Sequence, residues 1–186
     1  MSVFFLKVKR WQLFFLTVGI PVLLLLVLLK SANGDFFVHH IIFFSKSLAL
    51  TSIIFFAWLW FVVIGLHSMI STHLKLDLKW FKIFFFLPFF FIPYILLNKP
   101  LQGVDIVNDG IGASVLFYLL IHLSTSFCLV YSLYFVAKVF TIVKLRREVS
   151  FSDFSSVFFL LLFCFYIGVW IMQPQINKMA EEGFSQ

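Results

Sequence analysis

Five long apolar stretches constrain this chain more than any other feature of its sequence. They cover residues 11–29, 48–66, 81–97, 113–137 and 154–172. One helix needs about 20 consecutive residues with few charges to cross the ~30 Å hydrocarbon core of a bilayer. The sequence therefore predicts an all-α fold, a polytopic transmembrane helix bundle of about five spans with no soluble domain.

The composition agrees with a chain whose solvent is mostly lipid. Hydrophobic residues make up 62% of the sequence and charged residues 12%, whereas a soluble domain carries about a quarter charged residues. The connections between the stretches are short, so they leave no room for a separate water-soluble domain. We predict a single membrane domain over residues 1–186.

The distribution of lysine and arginine predicts the orientation, because positive residues in short loops stay on the cytoplasmic side. With the N-terminus inside and the C-terminus outside, ten of these residues lie inside and four outside. The four are Lys30, Lys46, Lys99 and Lys178. The alternative has four spans, with the third stretch, which contains Pro88 and Pro93, lying partly in the interface.

The first stretch also has some features of a secretory signal, since basic residues precede an apolar run. The run is longer than the 7–15 apolar residues of a signal peptide, and Lys30 stands where a small residue is expected before cleavage. The sequence therefore favours an uncleaved first span.

Three further boundaries follow from the residues at the ends of the stretches. Residues 36–44 either lie along the outer interface or begin an extended second span. The fourth span is expected to run on into the cytoplasm through Lys138, Lys144, Arg146 and Arg147. Ser150 and Asp153 are expected to cap the fifth helix, since side-chain oxygens accept hydrogen bonds at a helix N-terminus.

A polar stripe on the fourth span is the strongest candidate for a functional site. Ser114, Tyr118, His122, Thr125, Ser126, Cys128 and Ser132 share one side of a helix with 3.6 residues per turn. We expect this side to face the bundle interior, where polar groups find partners. Three interpretations remain open: interhelical hydrogen bonding, a proton or substrate path through His122, and ligation of a metal or haem.

The basic residues after the fourth span have two interpretations. Lys138, Lys144, Arg146 and Arg147 either anchor the span by the positive-inside rule or contact anionic lipid headgroups.

No other chemistry is indicated by the sequence. It contains no GxSxG, HExxH, phosphate-binding glycine loop or dinucleotide fingerprint, so we predict no catalytic residues, no cofactor and no metal site. Cys128 and Cys164 both fall inside apolar stretches and do not suggest a disulfide. The net charge of +6 resides at the ends of the spans, so nucleic-acid binding is not expected.

The end of the chain carries a recognisable block. It reads Ile167-Gly168-Val169-Trp170 and then Gln173-Pro174-Gln175-Ile176-Asn177. This block resembles the tails of small bacterial multispanning membrane proteins over about the last quarter of the chain. The resemblance implies the bacterial cytoplasmic membrane and no catalytic activity.

The function predicted from these observations is non-enzymatic. We expect an accessory or interaction subunit whose partners are the lipid bilayer and another membrane protein, or a second copy of the chain. The alternative is a small permease or proton-coupled transporter that uses the polar stripe. A membrane-embedded enzyme or haem protein is the third possibility.

Overall fold

The computed structural model describes residues 8–15, 19, 22–23, 26, 36–74, 76–98 and 113–183. In this part of the chain the structure contains helices and no strand, which confirms the all-α prediction. The helices are α1 (Arg10–Phe14), α2 (Phe36–Ser68), a 3₁₀ turn (Thr72–Leu74), α3 (Leu78–Asn98), α4 (Ala113–Leu145), α5 (Phe151–Phe163) and α6 (Phe165–Gly183).

Within the described residues, one helix is both long and apolar enough to cross a membrane. It is the segment Leu119–Leu145 of α4, while Ser52–Ser68 and Phe151–Phe163 are apolar but shorter. The count of five spans therefore stays a prediction. Most of the first predicted span lies outside the described residues.

The second and third predicted spans correspond to helices that are longer than the apolar stretches. Helix α2 is 33 residues long and already includes residues 36–44. These residues are therefore continuous with the second apolar stretch, and the extended second span stays a prediction. Helix α3 continues through Pro88 and Pro93 to Asn98. Neither proline ends the helix.

The fourth predicted span runs on past its apolar part, as expected, but stops before the last two arginines. Helix α4 contains Lys138 and Lys144 and ends at Leu145. Arg146 adopts a positive φ of 53°, and its amide donates to the carbonyl of Ile142 at 2.7 Å. A residue in this left-handed conformation ends a helix, so the prediction that the helix passes through Arg146 and Arg147 is wrong.

The fifth predicted span is two helices rather than one. Cys164 separates α5 from α6 with φ −135° and ψ 52°, which is not helical. Beyond it, Gly168 approaches the end of α5 closely. A Cβ on Gly168 would lie 3.0 Å from Cδ2 of Leu161 and 3.3 Å from the carbonyl oxygen of Leu160. Residues seven and eight apart along one straight helix cannot come this close, so the chain bends sharply here.

The chain divides into two compact units: Met1–Lys75 with Val136–Gln186, and Leu76–Phe135. This division concerns packing, so the single membrane domain stays a prediction. In the unit Leu76–Phe135, α3 and α4 run antiparallel and pack through aromatic rings. The ring centroids of Phe81 and Phe135 are 5.0 Å apart, and those of Phe84 and Tyr131 are 4.6 Å apart.

In the other unit, α6 lies beside α2 and runs in the same direction. The ring of Phe165 packs on that of Phe55 near the start of α6. Further along, Gln173 is hydrogen-bonded to Trp58. The inner face of α6 repeats every fourth residue, with Met172, Ile176 and Ala180 buried, which is the spacing of one helix face.

Candidate functional site

The residues of the polar stripe do not share one environment. His122 and Ser126 are exposed, Thr125 is half-buried, and Cys128 and Ser132 are buried. Ser114 and Tyr118 belong to α4, but their side chains lie outside the part that the structure describes. The expectation that the stripe faces the bundle interior is therefore not met at His122 and Ser126.

Two hydroxyl groups of the stripe are bonded within the helix itself. Thr125 donates to the carbonyl of His122 at 2.9 Å, and Ser132 donates to the carbonyl of Cys128 at 2.8 Å. The neighbouring Ser124, outside the stripe, bonds to Leu120 in the same way. Because serine and threonine can satisfy their donors on the preceding turn, they do not require an interior position. His122 and Ser126 are exposed although they are polar, so the spacing of polar residues alone did not determine which side of α4 faces inward.

His122 differs from these hydroxyl groups. Among the described residues, its imidazole has no hydrogen-bond partner, and the ring lies on the exposed side of α4 next to Leu119 and Leu123. An imidazole has two nitrogen atoms, of which one donates and the other accepts when the ring is neutral. His122 is thus an exposed polar group with capacity for two hydrogen bonds on an apolar helix surface.

The four basic residues proposed as lipid contacts also lie in different environments. Lys138 is half-buried. Lys144 and Arg146 line a cavity together with residues of α6. Arg147 instead forms an ion pair, with Nη2 2.9 Å from Oδ1 of Asp153 and Nη1 3.3 Å from Oδ2. The sequence grouped these four residues by position, whereas the structure gives them different roles.

Asp153 caps α5, as the sequence predicted. Its carboxylate accepts a hydrogen bond from the backbone amide of Ser150 at 2.8 Å and another from the Ser150 hydroxyl at 3.0 Å. The side-chain hydrogen bond from Arg147 holds the pKa of Asp153 below its usual value, and the bonds from Ser150 add to this effect. All of these donors favour the charged carboxylate.

A buried hydrogen-bond network between α2, α6 and the N-terminal segment was not predicted. Trp58 donates from Nε1 to Oε1 of Gln173 at 2.7 Å. The side-chain nitrogen of Gln173 donates to the carbonyl of Val8 at 3.1 Å and to Oδ1 of Asn177 at 2.9 Å. Asn177 in turn donates to the same Val8 carbonyl at 3.2 Å. Two amide side chains thus hold the chain just before α1.

The sequence contained one signal for this network. Gln173 and Asn177 stand four residues apart, which puts them on one helix face, and both belong to the Gln-Pro block that the sequence singled out. The structure places Gln173 against Val8.

The described residues contain no group of three or more His, Cys, Asp or Glu side chains that could hold a metal ion. Two cavities, of about 470 Å³ and about 450 Å³, lie beside α6, and the stripe residues line neither of them. The arrangement is suited to hydrogen bonding between helices and to binding an anion.

No family model matches this chain, and no match to it is found among curated proteins or among solved structures. The resemblance of its last quarter to small bacterial multispanning proteins stays a prediction.

Proposed function

We propose that the protein is a multi-pass protein of the bacterial cytoplasmic membrane that acts as a non-enzymatic interaction subunit. The observation that carries this proposal is the exposed side of α4. It presents an imidazole without a partner among the described residues, surrounded by large apolar side chains. A surface of this kind suits contact with lipid and with the transmembrane helix of another membrane protein.

The apolar exposure supports a membrane environment. The first half of α4 exposes one large apolar side chain after another, and so do parts of α3 and α5. Soluble monomers rarely expose contiguous apolar patches larger than a few hundred Å², whereas lipid is the expected solvent for them. The residues on α4 are Leu116, Phe117, Leu119, Leu120, Leu123, Phe127 and Val130.

His122 and Ser126 support a helix as the partner. They stand four residues apart and therefore lie next to each other on α4. Polar side chains on transmembrane helices hold neighbouring helices together through hydrogen bonds, each worth about 0.6 kcal/mol and at most about 1.7 kcal/mol. A polar pair on an otherwise apolar surface is what such a contact requires.

The proposed topology has four crossing segments and a re-entrant hairpin. The crossings are residues 11–29, α2, α3 and α4, and the hairpin is formed by α5 and α6. Helix α5 has 13 residues and is about 20 Å long, which is too short for the ~30 Å hydrocarbon core. After the bend at Cys164, α6 runs alongside α2 in the same direction, toward the end of α2 that the charge pattern places inside.

The hydrogen bonds to Val8 support a cytoplasmic position for the end of α6. Val8 precedes the first crossing segment and lies between Lys7 and Lys9. Gln173 and Asn177 contact its carbonyl, so these residues share its depth. With Lys178 inside as well, eleven of the 14 lysines and arginines lie on the cytoplasmic side and three on the other. This topology satisfies the positive-inside rule better than five spans do.

The permease alternative receives no comparable support. A proton or substrate path would need a cavity reaching His122, and the stripe residues do not line the two cavities beside α6.

The test compares complexes of the wild-type protein and of His122→Leu. Both are extracted in mild detergent, tagged, and examined by co-purification and native mass spectrometry. We expect the wild type to retain a membrane-protein partner, and His122→Leu to bind it about three- to twentyfold more weakly. The matched control is Ser124→Ala, which removes a hydroxyl already bonded to Leu120 and should leave binding unchanged.

Two outcomes contradict the proposal. One is a wild-type monomer without a partner in several mild detergents and in nanodiscs. The other is a partner that binds His122→Leu as tightly as the wild type. A complex that contains only second copies of this chain identifies the partner as the protein itself.

A further inference from the structure

The cavity of about 470 Å³ lies in the unit that combines Met1–Lys75 with Val136–Gln186. Its walls come from the end of α4, the second half of α6 and the segment after α2. The volume is within the range of small-molecule sites, about 300–1,000 Å³. Its lining divides into a cationic part and an apolar part.

The cationic part combines residues that are far apart in sequence. Lys144 belongs to the last turn of α4, Arg146 follows the end of that helix, and Lys178 comes from α6. Ser71 and Gln175 add uncharged polar groups. None of the described residues that line the cavity is acidic.

The dipole of α4 explains part of this arrangement. Cations near the C-terminus of a helix interact favourably with its dipole, which accounts for Lys144 and Arg146 at the end of α4. It does not account for Lys178, which belongs to a different helix that packs against this end. Three positive side chains from different parts of the chain line one cavity, and their charge attracts an anion to it.

The backbone conformation of Arg146 also supports an anion site in this cavity. Its φ of 53° is uncommon for residues other than glycine, asparagine and aspartate. The left-handed residue turns the chain immediately after α4 and leaves Arg146 among the residues that line the cavity. A guanidinium group is the side chain best suited to bind a phosphate with two parallel hydrogen bonds.

The apolar part of the lining selects the kind of anion. Met69, Ile70, Leu74, Ile142 and Met179 face the same space as the three cations. A free inorganic anion makes no use of these side chains. An anionic lipid presents a phosphate group and an apolar body side by side, and the cytoplasmic leaflet supplies such lipids.

We propose that this cavity binds the phosphate group of an anionic phospholipid from the cytoplasmic leaflet. The inference rests on the membrane placement proposed above. Lys144, Arg146 and Lys178 bind the phosphate oxygens, while the apolar lining contacts the glycerol and the first methylene groups. The lipid thereby bridges the end of α4 and α6, and it stabilises the packing of α6 against that end of α4.

The test uses the purified full-length protein in a phosphate-free nonionic detergent. Three probes are titrated: short-chain phosphatidylglycerol, phosphatidylcholine with the same chains, and inorganic phosphate. Binding is measured from the shift of the thermal midpoint and from adducts in native mass spectrometry. We expect phosphatidylglycerol to bind at least about tenfold more tightly than either of the other two probes.

Variants assign the binding to the cavity. Lys144→Gln, Arg146→Gln and Lys178→Gln should each weaken phosphatidylglycerol binding about five- to tenfold. The conservative variant Lys144→Arg should retain it. Arg147→Gln is the matched control. Arg147 is a neighbouring positive residue, but it pairs with Asp153 and does not line the cavity. Binding by this variant should equal that of the wild type.

Each contrary result overturns the proposal in a defined way. Equal affinity for phosphatidylcholine excludes recognition of net charge, and equal affinity for inorganic phosphate makes the ligand a soluble anion instead of a lipid. Equal losses in the cavity variants and in Arg147→Gln exclude the cavity as the site. If any of these results occurs while the protein sediments with membranes and keeps its partner, the proposed function stands and only this inference fails.

Discussion

Gln173 uses its side-chain oxygen and both of its amide hydrogens, although the residue is completely buried. A buried amide that loses one hydrogen-bond partner still carries the full free-energy cost of its desolvation, and no other interaction offsets that cost. For this reason the network of Trp58, Gln173, Asn177 and Val8 makes the association of α2, α6 and the N-terminal segment specific. A purely apolar contact in the same place would allow these elements to slide.

Replacing Trp58 by phenylalanine tests this network. Trp58→Phe keeps an aromatic ring but removes the indole N–H that donates a hydrogen bond to Oε1 of Gln173. We expect the free energy of unfolding to fall by about 1–3 kcal/mol, measured by thermal or denaturant unfolding in detergent. Trp80→Phe is the control, since Trp80 is 53% exposed and the change there should cost less than about 0.5 kcal/mol. Equal effects of the two substitutions would count against the network.

The carboxylate of Asp153 gives the start of α5 a dependence on pH. Its pKa is lower in the folded protein than in the unfolded chain, first because of the hydrogen bond from Arg147. The stabilisation is therefore present above the unfolded value, about 3.9, and is lost as the pH falls through the folded value.

Asp153→Asn removes this dependence. We expect the variant to unfold at a lower temperature than the wild type at pH 7, and the difference to shrink progressively as the pH falls below the unfolded value of about 3.9. Thermal midpoints at several pH values provide the measurement. A difference that stays constant down to acidic pH would show that the ion pair with Arg147 does not cause it.

At the scale of elements, the bend between α5 and α6 is the main departure from the sequence-based prediction. Residues 154–172 read as one apolar span, because hydropathy measures the preference for an apolar environment and contains no information about direction. The bend needs a close approach between Gly168 and the end of α5, together with a binding surface for α6 on α2. The contact of α6 with α2 joins residues far apart in sequence, and the close approach at Gly168 depends on the non-helical backbone at Cys164, which hydropathy does not report.

Other elements could be predicted because their causes are local. The helical character of the chain, the extension of α4 past Lys138 and the cap by Asp153 follow from periodicity, hydropathy and short-range hydrogen bonds. The candidate site could be predicted less well from the sequence. The stripe on α4 was recognised, but its orientation depends on how α4 packs, which the spacing of its polar residues does not determine. The hydroxyl groups of Thr125 and Ser132 bond to carbonyls of the same helix.

Substitutions at Gly168 test the bend. A Cβ there meets Cδ2 of Leu161 at 3.0 Å and the Leu160 carbonyl oxygen at 3.3 Å. We expect Gly168→Ala to lower the stability by about 1 kcal/mol and Gly168→Ile by about 3 kcal/mol, because overpacking forces backbone shifts. Unfolding in detergent measures both. Ile171→Val, at an exposed position of α6, is the control and should have little effect. A stability unchanged in Gly168→Ile would contradict the close approach.

At the scale of the whole molecule, the proposed topology combines charge, helix length and hydrogen bonding. Four crossing segments return the chain to the cytoplasmic side, and the hairpin enters the membrane and leaves it on that same side. The described ends of the chain, at Val8 and in α6, are then close together because they share one compartment, and Lys178 joins the other cytoplasmic cations. An odd number of spans would separate residues that the structure joins by hydrogen bonds.

The accessibility of single cysteines tests this account most directly. Two variants are made in a background with Cys128 and Cys164 replaced by alanine. One carries a single cysteine at Asn108, in the loop expected outside, and the other carries a single cysteine at Ser185. Intact cells are labelled with a membrane-impermeant maleimide before and after permeabilisation, and the label in the sedimented membranes is measured. We predict that the cysteine at position 108 is labelled in intact cells, and the one at position 185 only after permeabilisation. Labelling of position 185 in intact cells, or absence of the protein from the membrane fraction, would contradict the account.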